Sequence, residues 1–414
     1  MSETSISSSR LIDQRQFVRF WFARLTSTLG YHMMAVAIGW KIYAITGDPF
    51  DLGLVGLIQF VPAVVFTLLI GDLADRYDRR TIVRCAQATF CCAAALLIVV
   101  FLDSTPNVHL LFAAVFLIGT ARAFELPTSQ SLVPALVPAA LLPRATAAWA
   151  SASQTAVICG PAAGGLIYAV QPILVPVIAL ALFICAITLV TLIRVERKAP
   201  RRERPTFSSV LAGFAYVRNK PRLFGVITLD LFVALLGGVT ALLPIYAKDI
   251  LLAGPVGLGL LRSAPAIGAL TTSVLLSRFP VERHIGLKMF AVVALFGAAT
   301  MLFAVSTWLP FSMVALAILG AADSVSVVIR FSLVQIETPD EMRGRVSAIN
   351  YLFVNTSNTL GEFESGVVAA WLGAVPSALI GGLGSLLAAA IWMMIFPDLR
   401  RVDRFEPADD EKRT

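Results

Sequence analysis

Long apolar runs, separated by short polar segments, make up most of this 414-residue chain. The hydrocarbon core of a bilayer is about 30 Å thick, so a helix that crosses it needs roughly 20 apolar residues. The runs have that length and do not alternate between polar and apolar positions, which favours helices over strands. Backbone groups in lipid must find partners within their own segment, so the pattern predicts an all-α polytopic membrane protein.

The runs predict twelve transmembrane helices. Most connections between them are short, as expected for antiparallel neighbours in a helical bundle. The predicted spans are residues 16–44, 51–71, 81–102, 108–135, 142–169, 172–194, 222–248, 254–278, 286–306, 308–336, 344–371 and 374–396.

The middle connection is longer and divides the predicted spans into two sets of six. It is basic and contains three prolines. We therefore predict an N-terminal six-helix bundle over residues 1–194, a cytoplasmic linker over 195–221, and a C-terminal six-helix bundle with a cytoplasmic tail over 222–414. Within the linker, the segment from Phe207 to Val217 is predicted to form a short interfacial helix.

The composition agrees with a membrane protein. Hydrophobic residues form 57% of the chain and charged residues 14%, whereas soluble domains have about 45–50% apolar and 25% charged residues. No pair of cysteines has the spacing of a metal site, so we expect no metal and favour a packing role for all five thiols. These cysteines are Cys85, Cys91, Cys92, Cys159 and Cys185.

The basic residues lie mainly at alternate membrane edges. The net charge is +7, and the connections opposite the N-terminus carry little positive charge beyond Lys41 and Lys248. The positive-inside rule therefore predicts that both termini face the cytoplasm. Basic edges attract anionic lipids, and their scattering over many loops argues against a nucleic-acid partner.

The two halves resemble each other at an offset of 201 residues. Parallel repeats of this kind are typical of transporters whose halves rock around a central site. The aligned pairs are Gly119 with Gly320, Pro138 with Pro339, Arg144 with Arg345, Gly160 with Gly361, and Gly165 with Gly366.

The stretch GDLADRYDRR, at positions 71–80, is charged although apolar runs flank it on both sides. It resembles the signature that major facilitator superfamily proteins carry between their second and third helices. In that signature a Leu stands two residues after a Gly, and an Asp stands two residues after the Leu. An Arg and a basic pair follow. Asp78 stands where a Gly is usual, so we expect a turn of different shape there. The matching residues are Gly71, Leu73, Asp75, Arg76, Arg79 and Arg80.

The resemblance implies a latch that holds the two halves together on the cytoplasmic side. Gly71 allows helix backbones to approach closely. Asp72 and Asp75 share a helical face, where they can meet a helix N-terminus or an arginine. A loop that only sets topology would explain the arginines but not these two aspartates. The predicted latch residues are Gly71, Asp72, Asp75, Arg76, Arg79 and Arg80.

A second signature lies in the fifth predicted span. The stretch GPAAGG resembles the Gly-Pro motif of exporters in this superfamily, through Gly160, Pro161, Gly164 and Gly165. The segments ARAFELPTSQSLVPALVP and RGRVSAINYLFVNTSN are similar to a bacterial exporter branch that includes the enterobactin exporter family. With twelve spans, two halves and a basic linker, the resemblance to the superfamily covers essentially the whole chain, and the exporter branch implies a transporter in a bacterial inner membrane.

Polar and charged residues within the spans are the candidate functional residues, because each is costly in lipid. In the fourth span Arg122, Glu125 and Ser129 share one helical face. Asp323, Ser326 and Arg330 repeat that spacing in the tenth. The eleventh span carries a stripe of polar residues, and the first, seventh and eighth spans carry further charges. Together these residues form a predicted substrate and proton pathway. For any one of them, a purely structural role is the alternative. The pathway residues are Arg24, Tyr31, Arg122, Glu125, Asp230, Arg262, Asp323, Arg330, Asn355, Asn358 and Glu362.

These features predict a monomeric secondary transporter that exports a small organic molecule in exchange for protons by alternating access. Glu125 and Asp323 are the leading proton carriers, with Glu362 third. The chain has no phosphate-binding loop for ATP and no nucleophile constellation, so neither a pump nor an enzyme is expected, and no cofactor beyond the proton gradient. The alternatives are a proton-coupled uptake symporter and a non-transporting receptor. The mixed charges leave a siderophore, a drug and a metabolite open as substrates.

Overall fold

A computed structural model of the protein describes residues 11–103, 107–194 and 207–405. Every regular element in those ranges is helical, so the all-α prediction is confirmed. The helices up to the middle connection are α1 (Arg15–Thr46), α2 (Pro49–Arg76), α3 (Arg79–Leu102), α4 (Val108–Leu136), α5 (Leu142–Val170) and α6 (Leu174–Thr191).

Between residues 207 and 405 the structure describes nine further α-helical segments. They are α7 (Phe207–Asn219), α8 (Pro221–Leu236), α9 (Leu243–Ile245), α10 (Gly254–Arg278), α11 (Ile285–Ala304), α12 (Leu309–Ile336), α13 (Asp340–Leu372), α14 (Ala374–Ile395) and α15 (Pro397–Arg400). Short 3₁₀ segments cover Leu11–Asp13, Ala139–Leu141 and Val239–Leu242, and a π-helical turn covers Tyr246–Ile250.

Ten stretches of the described chain are long and apolar enough to cross a membrane. The helices α1 and α13 are longer, with 32 and 33 residues, but they also carry polar stripes. The count of twelve spans therefore stays a prediction. The seventh span, Pro221–Ile250, is not one regular helix. Gly237 and Gly238 interrupt it, because glycine weakens a helix interior.

The helix predicted in the middle linker is present as α7. Its end at Asn219 follows from Pro221, since a proline disfavours the α conformation of the residue before it. The residues of the linker before Phe207 lie outside the described part of the chain.

Contacts divide the described chain into two compact units. The first unit comprises the described residues up to Lys41 and those from Ile58 through α6. The second comprises Ile42–Leu57 and the described residues from α7 onward. The contacts thus assign the end of α1 and the beginning of α2 to the second unit. The predicted division into six and six helices stays a prediction.

In the first unit, α3 packs against both α4 and α6. In the second, α10 packs against α12, α11 packs against α12 and α14, and α13 packs against α8. The interiors are filled by aliphatic and aromatic side chains, such as Phe90 and Phe183, whose rings stack with centroids 4.9 Å apart.

Glycines that the 201-residue repeat aligns make equivalent contacts in the two units. A Cβ at Gly119 would lie 2.7 Å from the carbonyl oxygen of Gln59 on α2, and a Cβ at Gly320 would overlap Pro265 on α10. Gly160 and Gly361 likewise adjoin α1 and α8. Because small residues let membrane helices pack backbone to backbone, the internal repeat corresponds to a repeated packing arrangement.

Candidate functional site

A buried polar cluster in the first unit is centred on the Glu125 carboxylate. Oε1 of Glu125 accepts hydrogen bonds from Ser27 Oγ at 2.8 Å and from Gln87 Nε2 at 2.7 Å. Gln87 Nε2 also donates to Ser27 Oγ at 2.9 Å. Glu125 is 5% exposed, and Ser27 and Gln87 are each 1% exposed. Three helices, α1, α3 and α4, therefore supply one closed hydrogen-bonded group.

Arg24 on α1 provides the counter-charge for this carboxylate. Its Nη1 lies 3.5 Å from Glu125 Oε2, and its Nε donates to Ser153 Oγ on α5 at 3.0 Å. The guanidinium carbon is 5.0 Å from the ring centroid of Trp149. Arg24 is thus buried between a carboxylate, a hydroxyl and an aromatic face, and these contacts offset part of the cost of a charge at membrane depth.

The cluster also contains buried polar atoms without a partner. Among the described residues these are the carbonyl oxygen Oε1 of Gln87 and the indole Nε1 of Trp149. A buried unpaired polar atom costs about 1–3 kcal/mol. Gln87 already donates to the Glu125 carboxylate, and its Oε1 is unpaired. This oxygen can therefore accept a hydrogen bond from a protonated carboxyl or from another donor.

Arg122 lies near the middle of α4. Its partner is Tyr31, whereas Glu125 on the same helix pairs with Arg24. Its guanidinium carbon is 4.0 Å from the ring centroid of Tyr31 on α1. The Tyr31 hydroxyl donates to Gln59 Oε1 on α2 at 3.3 Å. Arg122 and Glu125 therefore do not form an ion pair within α4, because Glu125 pairs with Arg24 on α1.

In the second unit the charged cluster is centred on Arg330 of α12. Arg330 pairs with Asp230 of α8, and its Nη2 lies 3.7 Å from Asp323 Oδ1 on its own helix. Arg330 is 7% exposed, whereas the Asp323 side chain is 55% exposed. An ion pair thus joins α1 to α4 in the first unit and α8 to α12 in the second. The cation lies on the earlier helix in the first unit and on the later helix in the second.

The remaining pathway residues are not part of these two clusters. Thr240 Oγ1 donates to Glu362 Oε1 at 3.2 Å. Asn358 is exposed, and Arg262 is half-buried. The side chain of Asn355 lies outside the described part of the structure. The structure therefore brings together Arg24 with Glu125, Tyr31 with Arg122, and Asp230 with Asp323 and Arg330.

The described latch residues bind carbonyl groups within the first unit. Arg79 Nη1 donates to Ser131 O at 2.8 Å, and Arg80 Nη1 donates to Ile193 O at 2.9 Å. The carbonyl of Ile193 lies just beyond the end of α6, where a cation is favourable, and that of Ser131 lies within the last two turns of α4. The surroundings of Gly71 and the side chains of Asp72, Asp75 and Arg76 lie outside the described part of the structure.

Asp78, which replaces the usual Gly of the signature, caps α3. Its carboxylate accepts from the backbone N–H of Arg80 at 3.0 Å, and its φ of −60° needs no glycine. The side-chain hydrogen bond from Arg80 lowers the pKa of Asp78 below its ordinary value. The departure from the family pattern thus gives the turn an N-cap residue.

The GPAAGG motif lies at a close approach of α5 to α1. A Cβ at Gly160 would lie 2.6 Å from the Cβ of His32, and a Cβ at Gly164 would lie 2.9 Å from the Cα of Met33. Pro161 and Gly165 are buried beside them. The two glycines, one helical turn apart, place α5 directly against the helix that carries Arg24 and Tyr31.

Sequence analysis missed four members of the first cluster: Ser27, Gln87, Trp149 and Ser153. Ser27 lies on the same face of α1 as Arg24, so the helical spacing could have indicated it. Gln87 is a polar residue within the apolar part of α3, and that position alone could have indicated a buried polar contact. The contacts of Trp149 and Ser153 depend on how α5 packs, and one sequence does not give that.

Within the described ranges, no group of three or more His, Cys, Asp or Glu side chains could hold a metal ion. The described contacts of both clusters are ion pairs and hydrogen bonds. Such groups can bind a charged solute or exchange a proton.

Long apolar helices with charged clusters inside each unit define a membrane transporter of the major facilitator type. The family model described as "Transmembrane secretion effector" matches residues 7–412, and the chain belongs to that family. The predicted superfamily and the absence of an enzyme function are both confirmed by these matches.

Curated relatives match nearly end to end. The enterobactin exporter EntS of Salmonella typhimurium is 24% identical over 401 residues, covering 95% of each chain. The enterobactin exporter EntS of Escherichia coli O157:H7 is 25% identical over 404 residues, covering 94% of each chain.

Solved structures share the fold. The nucleoside transporter NupG matches with a TM-score of 0.73 at 13% identity, over 92% of this chain and 99% of that one. A bacterial homologue of the iron transporter ferroportin matches with a TM-score of 0.72 at 16% identity, over 95% of this chain and 100% of that one.

Proposed function

We propose that this protein exports a small organic molecule across the bacterial inner membrane, in exchange for protons and by alternating access. Both termini face the cytoplasm in this proposal, and the protein acts as a monomer. The stretch at positions 71–80 is its cytoplasmic latch. The exporter motif and the names of the EntS relatives favour export over uptake.

The buried Glu125 carboxylate carries the proposal of proton coupling. It is held by Arg24, Ser27 and Gln87, and an unused acceptor of Gln87 lies within the same cluster. When Glu125 binds a proton, its new O–H requires an acceptor, and rotation of the Gln87 amide supplies one. Protonation also removes the counter-charge of Arg24. A proton therefore changes the contacts between α1, α3 and α4, which is the kind of change that coupled transport requires.

Asp323 and Glu362 are the other proton candidates. Asp323 shares Arg330 with Asp230, so a second carboxylate stays beside that arginine when Asp323 is protonated. Glu362 accepts from a threonine hydroxyl and is half-buried. Glu125 is therefore placed first, because its protonation alters the larger number of buried contacts.

Inverted membrane vesicles test the direction and the coupling together. Their lumen corresponds to the periplasm, so a proton-coupled exporter accumulates substrate when the lumen is acidic. We expect vesicles with the wild-type protein to accumulate enterobactin, or a member of a panel of siderophores, antibiotics and metabolites, only with that gradient. Vesicles lacking the protein are the control.

The same assay separates the alternatives. An uptake symporter would accumulate substrate in right-side-out vesicles with an acidic exterior, and not in inverted ones. A non-transporting receptor would move no compound in either orientation. Accumulation that is equal with and without a pH gradient would contradict proton coupling.

Replacing Gln87 with Leu tests the role of the hydrogen bonds to Glu125. The variant loses a donor to the ionised carboxylate, and such a bond contributes about 1.5–3 kcal/mol. Loss of the donor leaves the buried ionised carboxylate less stabilised, so the initial rate of proton-driven accumulation in inverted vesicles should fall about tenfold or more. Gln335→Leu, which removes a hydrogen bond to Ser347 in the second unit, is the matched control. An unchanged rate of accumulation for Gln87→Leu would remove Gln87 from the coupling.

A further inference from the structure

Two guanidinium groups lie near one carboxylate in the first unit. Arg24 is 3.5 Å from Glu125, and Arg122 lies one helical turn before Glu125 on α4. Arg122 lies within ion-pair distance of no described carboxylate. The cluster therefore carries a surplus positive charge when Glu125 is ionised, and that charge resides on Arg122.

The contacts of Arg122 leave its hydrogen-bond donors available. The guanidinium carbon of Arg122 lies over the Tyr31 ring, 4.0 Å from its centroid. A cation–π contact attracts the charge to the ring and needs no acceptor for the N–H groups, which form a planar fork of five donors. No hydrogen bond to another described residue occupies these N–H groups. A planar oxyanion can thus approach the edge of Arg122 and bind it through two parallel hydrogen bonds.

The surrounding residues hold this geometry. Tyr31 is fixed by its hydrogen bond to Gln59, and Gly119, one turn before Arg122, packs against the backbone of Gln59. The absence of a side chain at Gly119 lets α4 approach α2, which places Arg122 above the ring of Tyr31. Arg122 is exposed although it lies near the middle of α4. An arginine exposed at that depth is expected to face a water-filled cavity rather than lipid.

We infer that Arg122, Tyr31 and Gln59 form a binding subsite for an organic oxyanion, such as a carboxylate carried on an aromatic body. The anionic oxygens bind the edge of the guanidinium, and the body packs beside the Tyr31 ring. This inference rests on the proposed function, because it assigns the substrate of the transporter to the class of acidic organic molecules.

Equilibrium dialysis of the purified full-length protein tests the subsite with 2-naphthoate as the probe. We expect saturable binding to the wild-type protein, which excess benzoate reduces and which 2-naphthamide, the uncharged analogue, does not compete. Arg122→Gln should weaken binding at least tenfold, because a charge-assisted bidentate contact is lost. Arg122→Lys should retain part of the affinity, since it keeps the charge without the planar fork.

Arg84→Gln is the matched control, because it removes the same charge from a residue near the beginning of α3, whose Nη2 donates to Thr81. It should bind 2-naphthoate like the wild type. Absence of binding to the wild-type protein, equal competition by 2-naphthamide, or unchanged binding in Arg122→Gln would each overturn the inference. If Arg122→Gln does not fold, the Arg122→Lys variant and the 2-naphthamide competition decide. Binding is measured without a gradient, so failure of proton-driven export would leave this result intact.

Discussion

Glu125→Gln is expected to abolish proton-driven accumulation in inverted vesicles while leaving exchange of substrate across the membrane. Glutamine has nearly the same shape and can still contact Ser27 and Gln87, but it cannot bind and release a proton. A gradient of two pH units stores about 2.7 kcal/mol per proton, which corresponds to an accumulation of about 100-fold. The wild type should approach that ratio under this gradient with one proton per substrate, and the variant should equilibrate without accumulation. The ratio of luminal to external substrate is the measurement.

The variant also leaves Arg24 without its counter-charge, and removing one partner of a buried pair costs about 3–5 kcal/mol. Loss of transport through unfolding is distinguished by the melting temperature in detergent and by the double variant Arg24→Gln/Glu125→Gln. Glu282→Gln, at an exposed position between α10 and α11, is the matched control and should accumulate substrate normally. Full accumulation by Glu125→Gln would exclude Glu125 as the proton carrier and move the assignment to Asp323 or Glu362.

The helices could be predicted from the sequence because membrane thickness sets the length of an apolar run. The first helix was predicted over residues 16–44 and extends over Arg15–Thr46. The seventh span was less predictable, since Gly237, Gly238 and Pro244 break it into short segments whose joins depend on neighbouring helices.

The members of the polar clusters were only partly predictable. Arg24 and Glu125 both stood out, because each is a charge within an apolar run. Their pairing did not, since it joins residues about one hundred positions apart and depends on how α1 and α4 pack. The same limit applies to Arg122, whose neighbour Glu125 is closer in sequence than Tyr31. Spacing along one helix identifies a polar face, whereas the partner of each side chain is set by tertiary packing.

The double variant Gly268→Ala/Gly320→Ala is expected to lower the stability of the protein more than any single surface change. Gly268 of α10 adjoins the backbone of Ala317 on α12, and Gly320 of α12 adjoins the backbone of Pro265 on α10. A methyl group at either position would overlap a carbonyl oxygen, which cannot move without shifting its helix. Overpacking of this kind costs about 1–3 kcal/mol per site. A melting curve in detergent should therefore shift down by roughly 5–10 °C.

Gly344→Ala is the control for this experiment, because no heavy atom lies within 4 Å of an added Cβ at Gly344. This glycine lies within α13, where alanine is favoured over glycine by about 1 kcal/mol, so its melting temperature should stay equal or rise. If the double variant melts at the wild-type temperature, the helices α10 and α12 must be able to separate at little cost. The close approach of their backbones would then not be what stabilises the second unit, and the equivalent contact of Gly119 with α2 would lose its expected importance as well.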